Sequence, residues 1–308
     1  MAYWKNYHTP QTVPEALELL QRYEGQARLI GGGTDLLLEI QQGHRPPVEA
    51  LIDPSRITGL DQIVTEEPHI IIGAGVTHST IVQSPVLQQQ GTCLVESCGV
   101  IGGPQVRNVA TLAGNIAHAL PAGDGTIGML ALGGDVEIAS AAGPDAPHAG
   151  TSWVPMQETF LGPGKSTIDP TTMLITRVRF PMTNAGEGSA FRRVMRPQGV
   201  ALPMISMAAR LHVENQVVTE ARIAIGPAGI VPFLSEKGSA LLVSQSPSQE
   251  AWHAASEAIL EEAHFRTSKH RATAEYRQEM VRSQLVKVLA KAAERAEGGK
   301  AIPEGVGQ

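Results

Sequence analysis

The chain has 308 residues, and 24 Lys and Arg stand against 30 Asp and Glu, for a formal net charge of −6. Its basic residues are scattered, which argues against a nucleic-acid partner, and no apolar run is long enough to cross a bilayer. Two cysteines, Cys93 and Cys98, are too few to hold an iron–sulfur cluster and lie five apart, which fits no zinc pair. MAYWKNYHTP lacks an apolar signal core, so the expected location is cytoplasmic.

In chain order, residues 12–23 predict a helix. Thr12 and Glu15 offer a capping box, Pro14 suits the first turn, and Ala16, Leu19, Leu20 and Tyr23 share a face. A short strand, ARLI, runs into GGGTD, and LLLEIQQG follows as the entry to a helix. Strands are expected at 51–53 and 69–75. A helical stretch at 78–98 is interrupted by Pro85, and 100–124 reads as a long polar, glycine-rich loop. Further strands fall at 136–140 and 173–180, and Pro181–Gly188 reads as a linker. Strands at 206–213 and 217–226 flank a turn at Glu214–Gln216. Helices at 249–263 and 272–295 close the chain, the latter with a stripe of Val281, Leu285, Val288 and Ala292. The last residues read as a disordered tail.

Three glycine-rich stretches can be weighed as phosphate sites. HIIIGAGVTH has Gly73 and Gly75 but His78 where a dinucleotide fingerprint needs a third glycine. LGPGKST has Thr159 at the first P-loop glycine position and no clear strand before it. GGGTD fits neither template. Even so, successive glycine N–H groups can form an anion-binding nest without a lysine, and Thr34 adds a hydroxyl. TLAGN supplies a second glycine turn with Thr111 and Asn115, and Asp124 follows in a loop where its carboxylate could accept from a ribose or ring N–H.

GGGTDLL, QVRNVATLAGNIAHALPAGD, SAFRRV and AEYR, in this order and spacing, resemble the FAD-binding medium subunit of the xanthine dehydrogenase and carbon monoxide dehydrogenase family. The resemblance runs from about residue 5 to about 292. It implies an α+β chain: a two-subdomain FAD-binding domain of the vanillyl-alcohol-oxidase (PCMH) type at 1–183, with subdomains at about 1–57 and 58–183. A small α+β C-terminal domain at 184–294 with a three-stranded antiparallel sheet would follow, then a tail at 295–308. The implied first FAD loop is Leu29, Ile30, Gly31, Gly32, Gly33, Thr34, Asp35 and Leu36, with backbone donors from Gly31 to Asp35 on the pyrophosphate. The second loop, from Thr111 through Ala113 and Gly114 to Asn115, would face it. Asp124 would hold the ribityl or ribose side, Ile175 would pack near the isoalloxazine, and Arg192 falls where relatives carry a lysine near the flavin. Ile101 stands where some relatives place an aromatic against adenine. His118 joins this candidate set with no proton role, and a surface position suits it equally.

Two departures stand out. Ala113 replaces the first glycine of the family's T-x-G-G-N, which is tolerable if its φ stays below zero. Pro104 removes a donor before QVRN. Asp35 either contacts cofactor or caps the following helix. Arg107 and Asn108 are expected to brace the second loop, and Tyr276 and Arg277 to pack the last helix onto the C-terminal domain.

The resemblance implies non-covalent FAD here, with iron–sulfur clusters on a small partner subunit and molybdopterin on a large one. Electrons would pass from the clusters to FAD and on to an external acceptor: NAD, oxygen, a quinone or another carrier. No side chain of this chain is assigned a catalytic role. Two other readings stay open: a flavin-free scaffold, and a stand-alone flavin oxidase of the same fold. On the nest reading, Gly32→Val abolishes FAD binding while the domain still folds.

Overall fold

The computed structural model describes residues 3–140, 150–196, 202–298 and 301–305. The first unit comprises β1 (Asn6–His8), α1 (Val13–Arg22), β2 (Ala27–Leu29), α2 (Leu36–Gln41) and β3 (Ala50–Ile52). Its three strands are parallel in the order β1-β3-β2, with Tyr7 and Arg28 on either side of Leu51. Thr12 caps α1, its Oγ1 accepting the Glu15 N–H at 3.3 Å. The Glu15 carboxylate accepts from the Gln11 N–H, one residue outside the reciprocal capping box. Ala16, Leu19 and Leu20 are buried beneath the helix.

The second unit begins with β4 (Ile63–Glu66) and β5 (His69–Gly73). Six short helices follow: α3 (His78–Gln83), α4 (Pro85–Gln90), α5 (Thr92–Gly99), α6 (Pro104–Arg107), α7 (Leu112–Ala117) and α8 (Asp124–Ala131). Next come β6 (Asp135–Ser140), β7 (Gly150–Pro155), β8 (Phe160–Gly162), β9 (Lys165–Ser166) and β10 (Met173–Pro181). An antiparallel five-stranded sheet runs β4-β5-β10-β6-β7. The stretch 100–124 is not the structureless loop that its polarity predicts, since α6 and α7 lie within it. LGPGKST forms the β8–β9 hairpin, with Gly164 at φ +69° in the turn.

The third unit is β11 (Glu187–Met195), β12 (Pro203–Glu214), β13 (Val217–Gly226), β14 (Phe233–Ser235), α9 (Glu236–Leu242), α10 (Gln249–Glu262), α11 (Ala274–Met280) and α12 (Val286–Gly298). A π-helical turn, Val281–Leu285, joins the last two helices. Three long antiparallel strands make the body of its sheet, and the short β14 adds an edge. Asn215 and Gln216, both at positive φ, form the two-residue β12–β13 turn, a geometry that matches the strand twist.

Alternation along β12 explains how the sheet sits. Ile205, Met207, Ala209 and Leu211 face one core with Trp252, Ile259, Leu285 and Leu289. Ala208, on the other face, and Ala224 of β13 join the core of the second unit. The sheet is therefore buried on both sides, between its own helices and the preceding unit.

Two buried ion pairs cross this junction, Asp124 with Arg193 and Glu96 with Arg295. Glu96 of α5 and Arg295 of α12, each 3% exposed at the side chain, meet at 2.6 Å. The Glu96 carboxylate also accepts the N–H groups of Phe191 and Glu304, while Arg295 donates to the carbonyls of Ser189 and Ile302. For residues 295–298 and 301–305 this corrects the reading of 295–308 as a disordered tail; 299–300 and 306–308 lie outside the described residues. The helix continues to Gly298, and the described residues 301–305 fold back over the pair, with Lys291 bound to Glu304 at 2.7 Å. Arg277 is buried and donates to the Met204 carbonyl of β12, holding α11 on the sheet as expected, whereas Tyr276 is 41% exposed.

Candidate functional site

The first glycine loop leaves the sheet just after β2, where the Ile30 N–H reaches the Ile52 carbonyl at 2.9 Å. The next five N–H groups, from Gly31 through Asp35, donate to no protein group among the described residues. Gly33 has φ +67°, which favours glycine. Gly32 is constrained by proximity, because a Cβ there would lie 2.2 Å from the Val109 carbonyl oxygen. Gly31 is exposed, and a Cβ there would meet only the Thr111 side chain, at 3.2 Å. Asp35 occupies the N-cap position of α2, yet its side chain makes no capping bond. Its carboxylate is 58% exposed and lies 3.8 Å from His118 Nε2. His118 sits at a similar 3.9 Å from Glu39 Oε1, so this histidine links the second loop to α2.

The second loop packs directly against the first. Pro104 lies in the first turn of α6, where a helix needs no donor. Arg107 braces the bend by donating to the carbonyls of Ile101 and Gly102, both at 3.1 Å, and Asn108 accepts from the Ser79 hydroxyl at 2.6 Å. Thr111 caps α7, its Oγ1 accepting the Gly114 N–H at 3.0 Å. Ala113 is buried in α7 and is not among the residues at positive φ, so the missing glycine leaves no backbone strain. Asn115 Oδ1 accepts both the N–H and the hydroxyl of Thr126, each at 3.0 Å, which fixes the start of α8.

Asp124 is buried, with both oxygens bound to protein groups. Oδ2 pairs with Arg193 Nη1 at 2.9 Å and Oδ1 accepts from Ser206 at 2.5 Å. Burial holds this carboxyl above its ordinary value, although Arg193 and Ser206 act in the opposite direction. Arg192 lies exposed on β11, and its neighbour Arg193 is the one that reaches Asp124. The signal for Arg193 was available: in SAFRRV, Ser189 and Phe191 face the preceding unit, and period-2 alternation sends Arg193 the same way. Ile175 is buried in the core below β10, and Ile101 is half-buried at the bend that Arg107 braces.

Five consecutive amide donors with no protein acceptor among the described residues, on a glycine turn backed by a second turn of small residues, suit the diphosphate of a dinucleotide cofactor. The residues present therefore fit FAD, with the first loop supplying donors and no basic side chain needed. Together with the α+β frame around it, this defines a dinucleotide-cofactor protein of α+β class.

The comparisons with known proteins agree. The family described as FAD binding domain in molybdopterin dehydrogenase matches residues 3–183, and the CO dehydrogenase flavoprotein C-terminal domain matches 189–292. The chain belongs to this family of FAD-binding oxidoreductase subunits. It is 27% identical over 296 residues to the putative xanthine dehydrogenase FAD-binding subunit XdhB of Escherichia coli (strain K12), covering 96% of this chain and 98% of the relative. It is 29% identical over 254 residues to the carbon monoxide dehydrogenase medium chain of Hydrogenophaga pseudoflava, covering 82% and 85%. In structure it matches carbon monoxide dehydrogenase from Hydrogenophaga pseudoflava lacking the Mo-pyranopterin moiety. The TM-score is 0.86 at 27% identity, covering 94% of this chain and 98% of the other. Among the described residues, no helix is long and apolar enough to cross a membrane, and no cluster of His, Cys, Asp and Glu could hold a metal ion.

Proposed function

We propose that this chain is the FAD-carrying electron-transfer subunit of a cytoplasmic molybdenum hydroxylase. It takes electrons from the iron–sulfur clusters of a small partner subunit, fed by a large molybdopterin subunit, and delivers them to an external acceptor. The observation that carries this reading is the row of free N–H groups from Gly31 to Asp35. Each bond from such a group to a charged oxygen contributes about 1.5–3 kcal/mol, so three or four hold a pyrophosphate without a lysine.

Bound FAD supplies the redox chemistry, and the protein supplies position and electrostatics. The Gly31–Asp35 backbone holds the diphosphate. Thr111, Ala113, Gly114 and Asn115 keep the opposite wall free of bulk. The Asp124–Arg193 pair fixes the charge at the start of α8 where this unit meets β11. On this reading no residue of the chain need act as nucleophile or general base.

The test is an absorption spectrum of the purified chain before and after FAD is added, with co-purification of partners. Stoichiometric flavin released by acid, together with iron–sulfur and molybdenum subunits that reduce it anaerobically, is the expected result. A chain that stays colourless in the assembled complex overturns the proposal.

A further inference from the structure

The amide donors of the first glycine loop are neutral, and the first charged side chain along the chain from them is acidic. Asp35 supplies the last of the five N–H groups, and its carboxylate makes no capping bond to α2. Glu39 stands one turn further along the same helix. A diphosphate seated on the loop brings two negative charges into these surroundings.

Both carboxylates face one imidazole. His118 Nε2 lies 3.8 Å from Asp35 Oδ1 and 3.9 Å from Glu39 Oε1, and the His118 side chain is 22% exposed, so solvent protons reach it. The second loop fixes its place. His118 is the C-cap of α7, its N–H on the Gly114 carbonyl at 3.0 Å, and the closing carbonyls of a helix favour a cation. The imidazole therefore ties together the two segments that enclose the candidate site: α2, which follows the donors, and α7, which begins at Thr111.

The other charged and titratable groups around it are committed elsewhere. Arg45, in the turn after α2, holds Glu39 at 2.8 Å, and the exposed His44 precedes it. Arg28, on β2, turns back to the carbonyls of Gly25 and Ala27. Arg107 donates to the carbonyls of Ile101 and Gly102, and Asp124 is paired with Arg193. The β8–β9 hairpin packs here through the Gly164 N–H on the Ala119 carbonyl at 3.1 Å, and its Lys165 is exposed. His78, beneath the second loop, is held down to about 4 by burial and then by Arg107, so it is neutral near pH 7. Among the described residues, Asp35 has no Lys or Arg within ion-pair distance, and His118 is the group that faces it.

Histidine is the side chain that ordinarily changes charge near neutrality. We propose that His118 couples FAD binding to the uptake of one proton. Its imidazole takes the proton from solvent as the diphosphate settles on the Gly31–Asp35 amides. Held between Asp35 and Glu39, the imidazolium offsets the negative charge that the diphosphate and Asp35 bring together. This coupling rests on the FAD reading of the glycine loops. His118 acts on cofactor retention as a positioning residue, and FAD is held more tightly on the acid side of neutrality.

The test titrates the full chain, stripped of flavin, with FAD. Calorimetry at one pH in two buffers of different ionisation enthalpy counts the protons bound with FAD, and quenching of flavin fluorescence gives the affinity at pH 6.5 and 8.5. The wild type should take up protons, and its affinity should fall about five-fold or more across that range, the effect of one charge at about 4 Å in water. The diphosphate of FAD keeps both its charges throughout. His118→Gln should take up no proton and bind equally at both pH values, at the weaker level of the wild type at pH 8.5. His118→Lys carries a fixed charge and should bind at pH 8.5 about as tightly as the wild type at pH 6.5, again with no proton taken up. If the imidazole only braces α2 against α7, the two variants weaken alike and the lysine restores nothing, which overturns the proposal. FAD bound by the wild type without a proton also overturns it and leaves the FAD reading standing. So does uptake that persists in His118→Gln, which assigns the proton to another group such as His44. A chain that binds no FAD, alone or in the assembled complex, overturns both.

Discussion

Gly31, Gly32 and Gly33 are glycines for three different reasons, and this separates the effects of replacing them. Gly31 is open to solvent, with only the Thr111 side chain near its missing Cβ, so Gly31→Val should leave Tm little changed while FAD binding falls about ten-fold or more. Gly32 abuts the Val109 carbonyl, so Gly32→Val should lose FAD and also cost about 1–3 kcal/mol as the loops are forced apart. Flavin absorbance and thermal melts on both variants check this. The sequence-based expectation for Gly32→Val had no folding cost, because the closeness of residues 31–32 to 109–111 is invisible in a linear chain.

His78 gives a pH dependence at the same scale. It is 1% exposed, with Nδ1 3.3 Å from the Cys98 sulfur, and burial, then the Arg107 charge, lowers its pKa from 6.5 to about 4. The folded state holds it neutral, whereas the unfolded chain takes up its proton near pH 6.5. Its stabilising contribution is therefore complete above that pH and is lost as pH falls toward 4. The loss amounts to about 3 kcal/mol, at 1.4 kcal/mol per pKa unit. Denaturant midpoints measured between pH 7 and 4 should fall for the wild type and fall less for His78→Gln.

At the scale of elements, regular patterns were legible and short ones were not. The stripe Val281, Leu285, Val288 and Ala292 is buried throughout, although the helix that carries it is divided by a π-turn at Val281–Leu285. Periodicity reads which residues face inward, and a one-residue change in winding does not alter that. Leu285 is fully buried in the C-terminal core, so Leu285→Ala should cost about 2–5 kcal/mol in equilibrium unfolding. By contrast, α6 and α7 span 4 and 6 residues, too few turns to display an apolar face. Their signals are caps and breakers, namely Pro104 and Thr111, and those residues suit loops equally well.

At the scale of the whole molecule, the C-terminal sheet is clamped from both sides and the Glu96–Arg295 pair closes the junction. Arg295→Ala leaves the Glu96 carboxylate buried without its cation and should cost about 3–5 kcal/mol. The double change Glu96→Gln with Arg295→Met should cost clearly less than Arg295→Ala. Urea unfolding of the two variants distinguishes these outcomes, and equal losses would mean that the pair's charge is not what closes the junction.

By itself the sequence determined the strand and helix patterning of most of the chain, the two glycine turns that hold the candidate cofactor site, and the family, through motifs in fixed order. These are local properties: periodicity, capping residues and bare backbones are written in neighbouring positions. Only the tertiary structure decided that Gly32 rests on Val109, that Arg193 rather than Arg192 meets Asp124, and that Glu96 finds Arg295 across 199 positions of chain. It also decided that Arg277 lies buried against the Met204 carbonyl of β12. Those facts depend on which distant segments the packing brings together, and a charge has no stated partner until the chain has closed around it.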